Sequence, residues 1–489
     1  MFSTLRNKLL RFIRGEKETP LLAGLAAGLY PILFYYNNNY GMAGSFRHLL
    51  FFTGFFIVLP TLLLLALRKL FTIGKLKRFR KYVLPAFSVF TFLFLLMLCL
   101  YAGISKKMLL GIVLLTGVFT VIFWNHYKKV IVFQLLLAVV GALQLLPDIY
   151  RHLTYDSDWA QLAPEEEQLT FIRKPNVYVI QPDGYVSFSE LKKGYYNYDN
   201  SAFEAWLEGK GFTLYPDFRS NYYSTLSSNS SLFAMKHHYY KNELSGREDI
   251  TGKNNGLSLF KKNGYTTFLL LEKEYLLAGR PQRYYDFCNI SNDEIPFIGT
   301  ALKLRKDVIK DLKTAMQAPR TTPGFFFIEQ LLPGHVSVYE KNSQGVKAER
   351  QAYLKHLETA NTWLKEIVGE IQSADPNALI VILADHGGFA GMRFTLESAV
   401  KTQDRDKIYS IFGGALAVKW PRDYDHSLDE ELVSSVNFFR VLFSYLSGTR
   451  TLLQHKEPDI SYIPLNKNTP SGVYMYIAAD GSIQCEKID

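Results

Sequence analysis

Residues Ala378-Leu379-Ile380-Val381-Ile382-Leu383 run directly into Ala384-Asp385-His386-Gly387-Gly388, and this junction decides the fold. A short, continuous apolar run bounded by turn residues reads as a strand covered on both faces, the pattern of a parallel sheet. The two glycines turn the chain, so an acid and an imidazole are left at the carboxyl end of the strand, where open α/β sheets carry their sites. Asp beside a neutral His suits a divalent metal. Taken alone, the pair reads equally well as a helix cap beside a surface histidine, so partners elsewhere in the chain decide its meaning.

Two further segments supply such partners. Pro175-Asn-Val-Tyr-Val-Ile-Gln-Pro-Asp183-Gly184-Tyr185 is again an apolar strand ending in an acid and a glycine. Between the two strands, Arg219-Ser-Asn-Tyr-Tyr-Ser-Thr225-Leu-Ser-Ser-Asn-Ser-Ser-Leu-Phe-Ala-Met235 sets hydroxyl residues before a segment with helical apolar spacing at Leu226, Leu232 and Met235. A hydroxyl there is ordinarily an N-cap. The same position also offers backbone N–H groups and the positive end of the helix dipole to a phosphate or sulfate.

Beyond residue 174 the pattern alternates. Strands are expected at 176–181, 212–215, 265–271, 324–330, 378–384 and 411–419, and helices near 200–209, 225–236, 346–373 and 432–447. Alternation of this kind predicts a mostly parallel central sheet with helices on both faces, in one domain at 175–489.

The first third of the chain has a different character. Apolar stretches near 20–37, 47–67, 83–104, 108–124 and 130–147 are each about long enough, the first and fourth marginally, to cross a bilayer core of about 30 Å at ~1.5 Å per residue. They predict a five-helix transmembrane domain at 1–148, followed by a polar linker at 149–174 that contains Pro164-Glu-Glu-Glu-Gln168. Arg6, Lys8, Arg11, Arg14 and Lys17, and then the loop from Arg68 to Lys81, put the N-terminus and that loop in the cytoplasm, with everything after about residue 150 outside. The expected location is a bacterial-type inner or plasma membrane, multi-pass, with a periplasmic or extracellular catalytic domain.

The charge balance agrees with this division. Seventeen Lys and Arg fall before residue 151 against three acids, which leaves 38 and 42 of the totals of 55 and 45 for the remainder. The pI near 9.1 is therefore topological, and the slightly acidic remainder argues against nucleic acid as a partner. Cys99 lies in an apolar stretch, while Cys288 and Cys485 are free to pair if the fold brings them together. His237-His238 reads as surface rather than as a metal pair, because adjacent helical residues diverge by about 100°. The tyrosines at 195, 196, 222, 223, 239 and 240 read either as packing residues or as a grip on a glycan or lipid headgroup.

Together these segments resemble the alkaline phosphatase/sulfatase superfamily, and within it the membrane-bound lipoteichoic acid synthase and phosphoethanolamine transferase branch. The resemblance runs from about Asn176 to Leu446. It adds to the pieces above the strand Pro323-Gly-Phe-Phe-Phe-Ile-Glu-Gln-Leu-Leu-Pro-Gly-His335. It implies an alkaline phosphatase-like fold in which Asp183, Thr225, Asp385 and His386 ligate one divalent metal ion, Mn, Mg or Zn, with Ca less suited. Thr225 would be the nucleophile, His335 would contact substrate or serve the leaving group, and Arg219 would contact phosphate.

Departures from the family pattern narrow the expectation. No Cys/Ser-x-Pro-x-Arg motif surrounds Thr225, which disfavours sulfatase chemistry, and Leu331 stands where two-metal relatives carry an Asp four residues before the histidine. Asp183 followed by Gly184 departs from the glutamate common in the transferase branch, which leaves the substrate open. Ser224, Ser227 and Ser228 are rival nucleophiles.

The resemblance implies transfer of a substituted phosphoryl group, of phosphoglycerol or phosphoethanolamine type, from a phospholipid to an envelope glycan, lipid or polymer through a phospho-threonine. The alternatives are a membrane-anchored phosphate or sulfate ester hydrolase and, from another class, a catalytically silent envelope-binding or scaffold protein.

Overall fold

The computed structural model describes residues 2–101, 103–155, 158–238, 246–298 and 302–488. They fall into two compact units, Met1–Tyr155 with Pro296–Thr300, and Asp156–Ile295 with Ala301–Asp489.

The first unit is helical: α1 (Phe2–Arg14), α2 (Pro20–Ala43), α3 (Phe46–Thr53), α4 (Leu59–Leu70), α5 (Arg80–Tyr101), α6 (Lys106–Phe123) and α7 (Tyr127–Leu153). Among the described residues, three helical stretches are long and apolar enough to cross a membrane: Phe46–Leu70, Gly74–Tyr101 and the run that begins at Lys106. This measure does not separate the five expected spans. The stretches near 108–124 and 130–147 run on through the single turn Trp124–His126, and α2 carries Pro31 and the polar run Asn37-Asn38-Asn39. α2 nonetheless packs tightly, since a Cβ at Gly28 would lie 1.8 Å from the Phe56 carbonyl oxygen. A small residue is what allows such backbone approach between apolar helices.

The second unit is built on a seven-stranded sheet of order β2-β7-β6-β1-β5-β3-β4. Its strands are β1 (Val177–Pro182), β2 (Thr213–Leu214), β3 (Thr266–Leu271), β4 (Phe287–Cys288), β5 (Gly324–Gln330), β6 (Leu379–Leu383) and β7 (Leu416–Lys419). The pairs β1–β5, β1–β6, β3–β5 and β3–β4 are parallel, while β7 runs antiparallel to β6 and β2. This is the mostly parallel sheet that the apolar runs imply.

Each central strand is buried on both sides. Val177, Val179, Phe325, Phe327 and Val381 face a core shared with α8 (Thr225–Ala234), α9 (Asn255–Lys262) and α11 (Phe438–Ser447). Tyr178, Ile180, Phe326, Ile328 and Ile380 face the long helix α10 (Val346–Ala374).

Some expectations require correction. The 411–419 strand is shortened to Leu416–Lys419, because Ile411 and Phe412 end the helix Arg405–Phe412 and Gly413-Gly414 follow. A three-stranded antiparallel sheet, β8 (Ser461–Leu465), β9 (Gly472–Ile477) and β10 (Ile483–Lys487), was not anticipated. The linker is less polar in place than in sequence. Trp159, Leu162, Leu169 and Phe171 are buried, and Glu166 is fully buried, pairing with Arg440 at 3.3 Å and accepting from the Ala163 N–H. Cys99, Cys288 and Cys485 are free thiols.

Candidate active site

The carboxyl ends of β1 and β6, neighbours in the sheet, bring the two acids together. After β1, Asp183 is fixed through its backbone: its N–H donates to the Gln330 carbonyl at 2.9 Å, and its own carbonyl accepts from the Gly334 N–H at 2.8 Å. Gly184 follows at φ +68°, and a Cβ there would lie 2.2 Å from the Gly334 carbonyl oxygen, so the turn demands glycine. The Gly184 N–H in turn donates to Asp385 Oδ1 at 3.1 Å, coupling the two strand ends.

After β6, the Gly387 N–H donates to the Ile411 carbonyl at 2.7 Å, which anchors the turn carrying His386. His386 Nδ1 lies 2.8 Å from the Gly387 carbonyl, so it carries the proton and leaves Nε2 as the lone-pair nitrogen. That Nε2 is 3.3 Å from Asp385 Oδ2, 3.6 Å from Asp183 Oδ1 and 3.5 Å from Thr225 Oγ1. Thr225 Oγ1 also donates to Asp183 Oδ1 at 3.3 Å. The four residues named from sequence as ligands thus share one small volume, and all are buried.

Thr225 opens α8, with Ser224 as its N-cap accepting from the Ser227 N–H. The rival hydroxyls are committed elsewhere. Ser224 Oγ donates to Ser227 Oγ at 3.2 Å, and Ser228 Oγ bonds the Tyr222 carbonyl at 2.9 Å and Ser220 Oγ at 2.8 Å. Thr225 bonds Asp183, the first of the two acids.

The cluster's electrostatics call for a cation. Ligand atoms of Asp183, Asp385 and His386 lie within 4.8 Å of one another, and Asp385 Oδ2 is buried without a hydrogen-bond donor among the described residues. Burial, then the neighbouring Asp385, push the Asp183 carboxyl well above the usual carboxylate range. Burial depresses the His386 imidazole, but Asp385 and Asp183 outweigh it and the net shift is upward. Two carboxylates and one imidazole in a dry site are the donor set of a divalent metal ion, and they fit one.

His335 borders the cluster, its ring centroid 6.0 Å from that of His386. Its Nδ1 lies 2.7 Å from the Val336 carbonyl, and burial followed by His386 lowers its pKa, so the ring is neutral with Nε2 available. Arg219 is held by backbone carbonyls. It is buried, and its Nη2 donates to the backbone carbonyls of Asp459 at 2.6 Å, Ala479 at 3.2 Å and Ala478 at 3.3 Å. Its contacts are those of a residue that ties the sheet β8–β10 to the segment before α8.

The histidine pair expected at the surface is instead buried. The chain leaves α8 through Met235 in the left-handed region, so His237 and His238 are no longer on a helix. His237 lies 2.8 Å from the Pro458 carbonyl and 3.1 Å from the Tyr222 hydroxyl, while His238 stacks on Tyr222 and bonds the Ser227 carbonyl. Tyr196 and Tyr222 are packing residues as well, with Tyr196 accepting from the Gly388 N–H at 2.9 Å and the Tyr195 hydroxyl donating to Asp404 at 2.6 Å. Tyr239 and Tyr240 lie outside the described residues.

Two features escaped the sequence reading. Gln181 and Asn229 exchange hydrogen bonds at 2.7 Å each, joining β1 to α8. Glu329 on β5 is paired in register with Gln181, fully buried, and both its carboxylate oxygens lack a hydrogen-bond partner among the described residues. Burial, then Asp183, Asp385 and Glu272, raise its pKa far above normal, with Arg247 opposing. The signal for Glu329 was an acid inside an otherwise aromatic buried run.

No family model and no curated protein matches the chain. Among solved structures it is similar to the C-terminal periplasmic domain of EcEptC from Escherichia coli, at 14% identity over 62% of this chain and 93% of that one, with a TM-score of 0.42. It is also similar to the integral membrane lipooligosaccharide phosphoethanolamine transferase A from Neisseria meningitidis, at 11% identity over 88% of this chain and 96% of that one, TM-score 0.42. A third likeness is to the lipoteichoic acid synthase LtaP from Listeria monocytogenes, at 11% identity over 65% of this chain and 91% of that one, TM-score 0.40.

Proposed function

We propose that this protein is a membrane-anchored, metal-dependent phosphotransferase that moves a substituted phosphoryl group from a phospholipid to a glycan, lipid or polymer acceptor outside the cytoplasm. The observation that carries the reading is the position of Thr225 Oγ1, at a helix N-terminus and within hydrogen-bonding reach of both Asp183 and His386.

In this reading Asp183, Asp385, His386 and Thr225 hold one divalent ion, which, when bound, lowers the pKa of the threonine hydroxyl and offsets charge on the phosphoryl oxygens. Thr225 Oγ forms a bond to phosphorus as the bond to the donor's alcohol breaks, giving a phospho-threonine ester. The Ser224 side chain satisfies the Ser227 N–H, and the first N–H groups of α8 meet the anion with the positive end of the helix dipole. Each step moves one proton. In the first, the hydrogen lost by Thr225 is delivered to the leaving oxygen; in the second, the acceptor hydroxyl gives up its own and Thr225 is restored. Neutral His335, with Nδ1 bound to the Val336 carbonyl, relays that proton through Nε2.

The remaining organisation follows the same reading: a transmembrane domain at 1–148 with five spans and a cytoplasmic N-terminus, a connector at 149–174 and a catalytic domain at 175–489. Spans that tether the site to the membrane raise the effective concentration of a lipid donor.

The test uses the full chain in liposomes containing phospholipid labelled on an acyl chain. Release of labelled diacylglycerol that requires a divalent metal and is lost in Thr225→Ala supports the reading. No release by the wild type across donor headgroups, or equal release by Thr225→Ala, overturns it.

A further inference from the structure

One end of the helical unit carries positive charge that phosphoryl transfer does not use. Lys128 Nζ donates to the backbone carbonyls of Phe12 and Gly15, fixing the end of α1 beside the start of α7. Glu18 pairs with Arg68 at the end of α4 and, at 3.6 Å, with Arg80 at the start of α5. These links gather α1, the end of α4, the short helical segment Gly74–Phe79, the start of α5 and the start of α7 at one end.

Fourteen Lys and Arg lie in these segments and in the stretch between α1 and α2, at 6, 8, 11, 14, 17, 68, 69, 75, 77, 78, 80, 81, 128 and 129, against only Glu16 and Glu18. Apart from Arg68 and Lys128, all of these basic residues are exposed. The surface is not purely polar. Leu70, Ile73, Leu76 and Phe79 alternate with the charges and are 48%, 63%, 38% and 42% exposed.

Aromatic rings mark the same level. Tyr82 and Trp124 meet edge to face at 6.2 Å, and the Lys81 ammonium lies 4.9 Å and 4.8 Å from their ring centres. Tyr and Trp concentrate where headgroups meet acyl chains, and polybasic segments beside apolar helices are drawn to anionic lipid. An acidic soluble protein would satisfy the charges and leave four apolar side chains in water. A leaflet accommodates both, with phosphates at the ammonium and guanidinium groups and acyl chains around Ile73, Leu76 and Phe79.

We propose that this end of the helical unit is a binding surface for anionic phospholipid headgroups, held chiefly by Lys75, Lys77, Arg78 and Lys81. The inference rests on the membrane-spanning reading and not on the chemistry at Thr225.

The experiment is native mass spectrometry of the full chain in a non-ionic detergent, incubated with phosphatidylglycerol or phosphatidylcholine of matched acyl chains. The expected result is retention of phosphatidylglycerol at least about fivefold over phosphatidylcholine, falling as salt rises. The combined variant K75Q/K77Q/R78Q/K81Q loses the preference at an unchanged melting temperature, K75R/K77R/K81R keeps it, and K106Q/K107Q, at the far end of α6, also keeps it. Equal retention of the two lipids overturns the proposal. So does a preference that survives the fourfold substitution, as expected of a donor lipid held in the active site, or preferential capture of an acidic polypeptide in place of lipid.

Discussion

Gln181 and Asn229 hold each other through two reciprocal amide hydrogen bonds of 2.7 Å, and both side chains are fully buried. Gln181 stands two residues before Asp183 and Asn229 four residues after Thr225, so the pair sets the distance between the first acid and the proposed nucleophile. Asn229→Ala leaves the Gln181 amide buried and unsatisfied, at a cost of about 1–3 kcal/mol. Turnover falls by tenfold or more on the order-of-magnitude cost of a small misplacement. The double variant Q181L/N229L recovers part of the stability and none of the turnover, as read by thermal melts and lipid turnover side by side.

Metal removal has its own signature. A ligand that binds only the folded state raises its melting temperature, so a chelator lowers that of the wild type. Asp385→Asn removes one ligand and one of two adjacent buried charges. In chelator it therefore melts above the chelated wild type, and added Mn²⁺ or Zn²⁺ moves it little. A chelator effect of equal size in both proteins contradicts the assignment of Asp385 as a ligand.

The serines around Thr225 give a specific contrast. Ser224→Ala, Ser227→Ala and Ser228→Ala lose stability through their caps and cross-links but keep the transfer step. Thr225→Ser retains it within about tenfold, and Thr225→Ala loses on the order of a thousandfold, since removing a nucleophile leaves only binding and electrostatic terms. Single-turnover rates with a labelled donor separate these outcomes.

Glu329 predicts a pH dependence in the metal-free protein. Its folded pKa lies above the unfolded value of about 4.3, so the folded state binds the extra proton and the benefit is complete below that value. The benefit is lost as pH rises towards the folded pKa. Glu329→Gln, which keeps shape and neutrality, therefore matches the wild type near pH 4.5 and melts higher than it at pH 7–8, by roughly 1–3 kcal/mol of stability. Melting curves across that pH range test this. A Gln variant less stable than the wild type at pH 8 shows Glu329 to be an ionised, paired group.

Much of this was legible in the sequence, for identifiable reasons. β1, β5 and β6 are buried on both faces, so their apolar runs stand out, and the acids Asp183 and Asp385 mark where they stop. The helix start at Thr225 was legible from hydroxyl residues set before helical apolar spacing, while the choice of Thr225 among its serine neighbours came from the family resemblance. The ties of Arg219 were not legible because an isolated arginine in sequence does not reveal three backbone carbonyls supplied from 240–260 residues away. His237 and His238 were misread because helical periodicity was extended past Met235, whose left-handed conformation ends α8. The antiparallel sheet β8–β10 was hidden by short strands with mixed faces, one of which contains Pro464.

The central claim is that Thr225 carries the transferred group, and the most direct measurement is the mass of the peptide containing Thr225 from full-length protein in membranes. His335→Ala, which slows the proton relay in both steps, is measured beside the wild type. The account predicts an increment on Thr225 equal to phosphoglycerol, phosphoethanolamine or another substituted phosphoryl group, formed more slowly in His335→Ala than in the wild type. An increment on Ser224, Ser227 or Ser228 instead, or no adduct in either protein with metal bound and donor lipid present, would contradict it.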